Sequence, residues 1–381
     1  MPKLSDIFTL QMGKTPSRDN LQYWNNGDNM WVSIADLKEE KYITKTKETI
    51  SNIAVKESGI KQVPANTVIM SFKLTLGKTA ITKTPIYTNE AIMAFIPTGK
   101  YQVLPDYFYY VFSFFNWSSL TNNAVKGKTL NKEILSEVEI VVPPLSEQMH
   151  IVRKLDCLFN IIAEKQIQLN AFDELVKSRF IELFGDETEF GKWPCCTIGD
   201  VADVCVGVVI KPTQYYTDKG IPAFRSLNIG EMRVKDADWV YFTEEGHQKN
   251  QKSVIRKNDV LVVRSGAPGT ACVATEKYDG YNAVDIIIAH PDNSKVNSVF
   301  LAAFTNMPHG MNQIRAKTGG AAQQHFNVGG YKAMSLIMPP MELQEQFATF
   351  VEQTEKSKLA ATETLKYLEE LKASLMNKYF N

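Results

Sequence analysis

Two long stretches of the chain carry side chains of alternating character at steps of three and four. Positions 155, 158, 162, 165, 169, 172, 176, 179 and 183 hold Leu, Leu, Ile, Lys, Leu, Phe, Val, Arg and Leu. Adding 196 gives Val351, Thr354, Lys358, Ala361, Leu365, Leu368, Lys372, Leu375 and Tyr379. Such spacing is that of a helix with a coiled-coil seam, imperfect here but present twice. Pro143-Pro144 and Pro339-Pro340 cannot lie inside a helix and mark the two starts. From there no Pro or Gly intervenes before Phe184, and Gly185 suits a C-terminal stop. About 40 residues at ~1.5 Å each give a helix near 60 Å. That exceeds what packing on one neighbouring domain requires, so the helices are expected to pair with each other. The competing reading is that each lies on its own globular segment.

Elsewhere the pattern changes to short runs of Val, Ile, Phe and Tyr broken by Gly, Pro and Asn, which reads as strands joined by loops. Residues 67–72 and 259–263 are the clearest strands, and 285–289 is a third. The aromatic run at 107–117 invites a base-stacking reading. Its counterpart at 299–304 has lost most of the rings, and a buried helix accounts for both copies.

That counterpart belongs to an internal repeat, the feature to seek first because it governs the whole fold. Val141-Val142-Pro143-Pro144-Leu145 recurs as Ile337-Met338-Pro339-Pro340-Met341, and the shift of 196 holds for Gln148 and Gln344, Ser178 and Ser374, and Phe184 and Phe380. Upstream, Asp6 and Gly13 match Asp200 and Gly207 at a shift of 194. Asn66 and Gly77 match Asn258 and Gly269 at a shift of 192. The common order of these matches indicates duplication. The expected organisation is a globular segment at 1–144, a long helix at 145–185, a second globular segment at 186–340 and a second helix at 341–381.

Composition changes this picture little. With 44% hydrophobic and 22% charged residues, the 381-residue chain is an ordinary globular one, long enough for two or more domains. No apolar run approaches a membrane span, and the residues after Met1 show no apolar leader. Five cysteines without paired spacing suit a reducing cytoplasm rather than a disulfide or zinc scaffold. Net charge is zero. The helical segments carry 5 basic against 6 acidic and 5 against 7, and the globular ones 16 against 13 and 16 against 16. If a polyanion is bound, the globular segments bind it.

Catalytic signatures are scarce. Gly-Lys-Thr occurs at 13–15, 77–79 and 127–129, but a phosphate loop needs a glycine where Phe8, Phe72 and Asn122 stand. A turn glycine beside a lysine is the better reading. There is no Asn-Pro-Pro-aromatic sequence for adenine methylation and no Gly-x-Ser-x-Gly. The histidines are scattered without ligand spacing.

The two Pro-Pro-hydrophobic-x-x-Gln helix starts, at 143–148 and 339–344, each closing a segment of about 145 residues, resemble the specificity subunit of type I restriction–modification systems. Leu175-Val176-Lys177-Ser178-Arg179-Phe180 and Phe184-Gly185-Asp186 are similar to that family's central region. In the second start, Gln344 and Gln346 offer two registers. The resemblance implies an α+β fold with two β-rich target-recognition domains in tandem. Each would be followed by a long helix, the two pairing as an antiparallel coiled coil. It implies a non-catalytic subunit for double-stranded DNA, each domain reading half of a bipartite site. The helices would set the spacing and dock two methyltransferase subunits. Motor–nuclease subunits would complete the enzyme, and S-adenosylmethionine, ATP and magnesium would belong to those partners. The chain itself would need no cofactor or metal.

For DNA contact the useful side chains are Arg for guanine, Gln and Asn for adenine, and Lys for phosphate. Candidates in the first segment are Lys14, Arg18, Lys73, Lys78, Lys126 and Lys128, and in the second Lys211, Arg225, Arg264, Lys317, Gln323 and Gln324. The loops at 127–129 and 318–324 stand out because the repeats diverge there, just before matched Asn131 and Asn327. The alternative of a different class is a coiled-coil scaffold whose globular domains bind proteins.

Overall fold

The computed structural model describes residues 1–38, 40–120, 130–318 and 325–380. The chain folds as two compact units, Met1–Lys165 with Thr364–Asn381, and Gln166–Glu363.

In the first unit the central sheet runs Phe8–Met12, Ile92–Pro97, Val68–Ser71, Thr79–Thr82, Tyr42–Ile43. Val68–Ser71 is buried at every position because both faces of the sheet are covered. Val68 and Met70 face the aromatic helix Pro105–Phe114, while Ile69 packs with Val32, Leu37 and Ile43 on the other side. The run at 107–117 is therefore core: Phe108 and Phe112 are fully buried, and Phe108 meets Phe8 edge-on at 4.9 Å. A smaller sheet joins Trp24–Val32 to Glu48–Ile50 and Tyr87–Thr88.

The second unit repeats the plan with Ala202–Val206, Ile286–Pro291, Val260–Val263 and Ala271–Val273. Helix Ser298–Asn306 covers the face carrying Val260 and Val262. Registers coincide as well. Phe8 lies opposite Pro97 and Ala202 opposite Pro291, while Val68 pairs with Ile81 and Val260 with Val273.

The residues common to both copies are the ones this scaffold requires. Asp6 and Asp200 accept backbone N–H groups at short helix starts. Asn66 and Asn258 take left-handed turns, with φ of 57° and 70°. Asn131 and Asn327 cap the helices Lys132–Glu137 and Val328–Lys332.

Both long helices begin at the predicted points, as Leu145–Phe184 and Met341–Phe380. Gly185 ends the first with φ of 89° and its N–H on the Ile181 carbonyl. Gln148 is fully buried: its Nε2 donates to the Gln102 and Pro143 carbonyls, and its Oε1 accepts from the Leu104 N–H. Gln344 donates to the Pro339 carbonyl and accepts from Asn297 N–H. The second register is thereby fixed on Gln344, and Gln346 is exposed.

Every seam position named above is buried or half-buried. Within the first unit, Ile151 and Leu155 share a core with Met376, and Lys372 lies over the Phe159 ring. Within the second, Lys358 pairs with Asp173, and Phe180 packs edge-on against Phe347. In each unit one helix segment thus runs antiparallel to the other.

Candidate nucleic-acid interface

Both units build the same hairpin. After Val68–Ser71 the chain turns so that Gly77 N–H bonds the Ser71 carbonyl and Ser71 N–H the Lys78 carbonyl. After Val260–Val263, Gly269 N–H bonds the Val263 carbonyl and Val263 N–H the Thr270 carbonyl. Gly77 and Gly269 need their positive φ, and each sits on a side chain, Trp117 and Ile314 respectively. The Gly-Lys-Thr at 77–79 is thus a turn.

A clamp then ties each hairpin to a residue just before a matched helix cap, Asn131 or Asn327. Leu130 N–H donates to the Phe72 carbonyl at 3.0 Å, and Phe326 N–H donates to the Arg264 carbonyl at 3.0 Å. Lys126, Lys128, Gln323 and Gln324 lie outside the described residues.

The remaining candidates divide by what holds them. Lys73 and Lys78 stand on the first hairpin, Lys78 exposed and Lys73 half-buried with its Nζ 5.2 Å from the Phe72 ring. Arg264, which matches Phe72, stands at the root of the second. Its Nη1 meets Asp285 at 2.6 Å and its Nε donates to the Phe326 carbonyl, so it helps fasten the clamp. Arg18 is held by both oxygens of Glu48, at 2.5 and 3.0 Å, and lies 3.7 Å over Trp24. This pairing pulls the Glu48 carboxyl below its ordinary range. Lys14 follows the first strand, its Nζ on the Ser58 carbonyl and its own carbonyl on Trp31 Nε1. Arg18 and Lys14 are thereby brought to one place beside Trp31, 5.0 Å from the Arg18 guanidinium. Lys211 is exposed in a left-handed turn, Arg225 donates to the Asp238 carbonyl, and Lys317 to the Gly330 carbonyl.

A cleft of about 710 Å³ also opens in the second unit, beside Phe180 and Met232. Its rim mixes Glu174, Glu231 and Glu355 with Lys177 and Arg233, and Lys177 already pairs with Glu174 and Glu231. Such mixed charge does not suit a phosphate backbone.

One constellation escaped the sequence reading. His290 Nδ1 meets Asp259 at 2.6 Å, and its Nε2 lies 3.7 Å from the Cys205 sulfur. The hydrogen bond to Asp259, with that to Cys205, pushes His290 up to about 9. Asp259 and His290 lie 31 residues apart, Asp259 just before the strand Val260–Val263 that pairs with the strand carrying His290, so only the strand register could have revealed them. Among the described residues no group of His, Cys, Asp and Glu could hold a metal ion, and no helix is long and apolar enough to cross a membrane.

Comparison with known proteins gives a consistent likeness. Residues 1–171 match the family model described as the type I restriction modification DNA specificity domain. The MjaIX specificity subunit of Methanocaldococcus jannaschii is 25% identical over 384 residues, spanning 92% of this chain and 85% of that protein. The chain is thus similar to type I restriction–modification specificity subunits, over residues 1–171 by the family model and over 92% of its length by the relative from M. jannaschii. A shorter match to the HindI specificity subunit of Haemophilus influenzae, 27% identical, covers 40% of this chain and 34% of the relative. Its fold is shared with the S subunit from M. genitalium (TM-score 0.56, 13% identity, 100% of this chain and 95% of that one). A chain solved in work on assembly and conformational transition of the type I R-M system gives a TM-score of 0.63 at 15% identity, covering 100% of this chain and 96% of that one.

Proposed function

We propose that this chain is a type I specificity subunit that binds double-stranded DNA at a bipartite site, each globular segment (1–144 and 186–340) reading one half, and is not itself catalytic. The observation that carries the reading is the duplicated hairpin and clamp. One backbone frame presents Lys73 and Lys78 in one unit and Ser265 and Thr270 in the other. Two different half-sites call for this combination of a constant frame with variable side chains. Lysines on the first hairpin supply phosphate contacts, and Arg264 and Arg18, pre-oriented by carboxylates, supply planar donors for base edges.

On this reading the long helices at 145–185 and 341–381 set the unread gap and dock methyltransferase subunits, two per chain. Restriction–translocase subunits complete the complex, in the cytoplasm. Methyl transfer and ATP-driven steps belong to those partners. The test is duplex affinity of the purified complex across a salt series. Phosphate contact makes log K fall linearly with log salt, whereas a protein-binding scaffold gives no such slope.

A further inference from the structure

The two hairpins differ at one position in a way the scaffold does not require. Leu74 adopts φ of 65° and its repeat partner, Gly266, φ of 89°. The second copy uses the residue that suits a left-handed turn. The first uses a branched aliphatic one, for which that conformation is a genuine outlier.

Packing does not explain the choice. Leu74 is 78% exposed, while Leu76, two residues on, packs against the core. A Cβ built on Gly266 meets nothing within 4 Å, so this position faces open space in the second copy too. Leu74 therefore gives up backbone comfort and apolar burial together. Lys73 and Lys78 flank it, and the Leu130–Phe72 clamp lies beside it. Strain at an exposed residue points to a contact made only in the complex.

We infer that Leu74 is a base-reading residue, an apolar probe that the two lysines hold against the DNA. The inference rests on the DNA-binding reading above. The ligand chemistry is an apolar base surface, supplied either by a thymine C5-methyl in the major groove or by the face of a base at an opened step. Gly266 leaves the second unit without this probe, so the contact belongs to the first half-site alone.

The test uses the full chain in its native complex, challenged with randomised duplexes whose bound fraction is sequenced. Leu74→Gly relieves the turn and raises the unfolding midpoint by about 2–4 °C. It nevertheless relaxes one base position in the first half-site and weakens specific binding about tenfold, the scale of one buried leucine. Leu74→Ala weakens binding likewise but without the gain in midpoint. Uracil in place of thymine at the relaxed position weakens the wild type if the methyl is the contact, and leaves it unchanged if the base face is. A Leu74→Gly complex with unaltered affinity and preference, or one relaxed in both half-sites, overturns the inference. Absence of salt-dependent duplex binding by the wild type instead overturns the reading beneath it.

Discussion

Replacing Gln148 by leucine tests why the helix starts carry a glutamine. The side chain is fully buried and makes three hydrogen bonds, donating to Gln102 and Pro143 and accepting from Leu104. Leucine is close in volume, so the cavity term is small. The Leu104 N–H and the Pro143 carbonyl lose their partner in a half-buried setting, while Gln102 is exposed and its carbonyl can take water. A buried group left unsatisfied costs ~1–3 kcal/mol, so Gln148→Leu destabilises the first unit by about 2–4 kcal/mol. At roughly 2–4 °C per kcal/mol for a unit of this size, its midpoint falls by about 4–16 °C. Gln148→Glu is worse at neutral pH, because a carboxylate would face two carbonyl oxygens, and it recovers on acidification. Differential scanning calorimetry of the full chain resolves this, since the transition of the second unit should stay in place. A Gln148→Leu chain melting within about 1 °C of wild type would refute the argument.

Three further outcomes follow. The His290–Asp259 pair raises the imidazole from an unfolded value near 6.5 to about 9. Its stabilisation is therefore complete below about pH 6.5 and lost as pH rises through 9, and His290→Gln should flatten this segment of the urea-denaturation pH profile. Lys73→Ala with Lys78→Ala should weaken binding to all duplexes alike and reduce the slope of log K against log salt by about two; a change confined to one sequence would contradict the phosphate assignment. Four residues inserted after Gln168 lengthen the central helix by about 6 Å. Methylated half-sites should then lie one or two base pairs further apart with unchanged sequences, and methylation at the original spacing would show that the helices are not the ruler.

The scaffold was legible because duplication displays which residues cannot change. Asp6 with Asp200, Asn66 with Asn258 and Gln148 with Gln344 were visible as matched pairs, and each makes the same backbone contact twice. Helix limits were legible because proline and glycine punctuate them. The reading side chains were less so, since a basic residue in a loop looks alike whether it meets DNA or a neighbour. Arg18 on Glu48 and Arg264 on Asp285 became distinguishable from Lys78 only through partners 30 and 21 residues away. Leu74 was invisible for another reason: its peculiarity is a backbone angle, and nothing in a Lys-Leu-Thr sequence announces one.

Whether two units on one chain read two separate stretches of DNA is measured by selecting randomised duplexes with the native complex and sequencing them. Two short specified blocks should emerge, separated by a gap of fixed length and indifferent sequence. Arg264→Ala in the second unit should alter one block and leave the other intact. A single contiguous block, or both blocks degraded together by that substitution, would contradict separate reading by the two units.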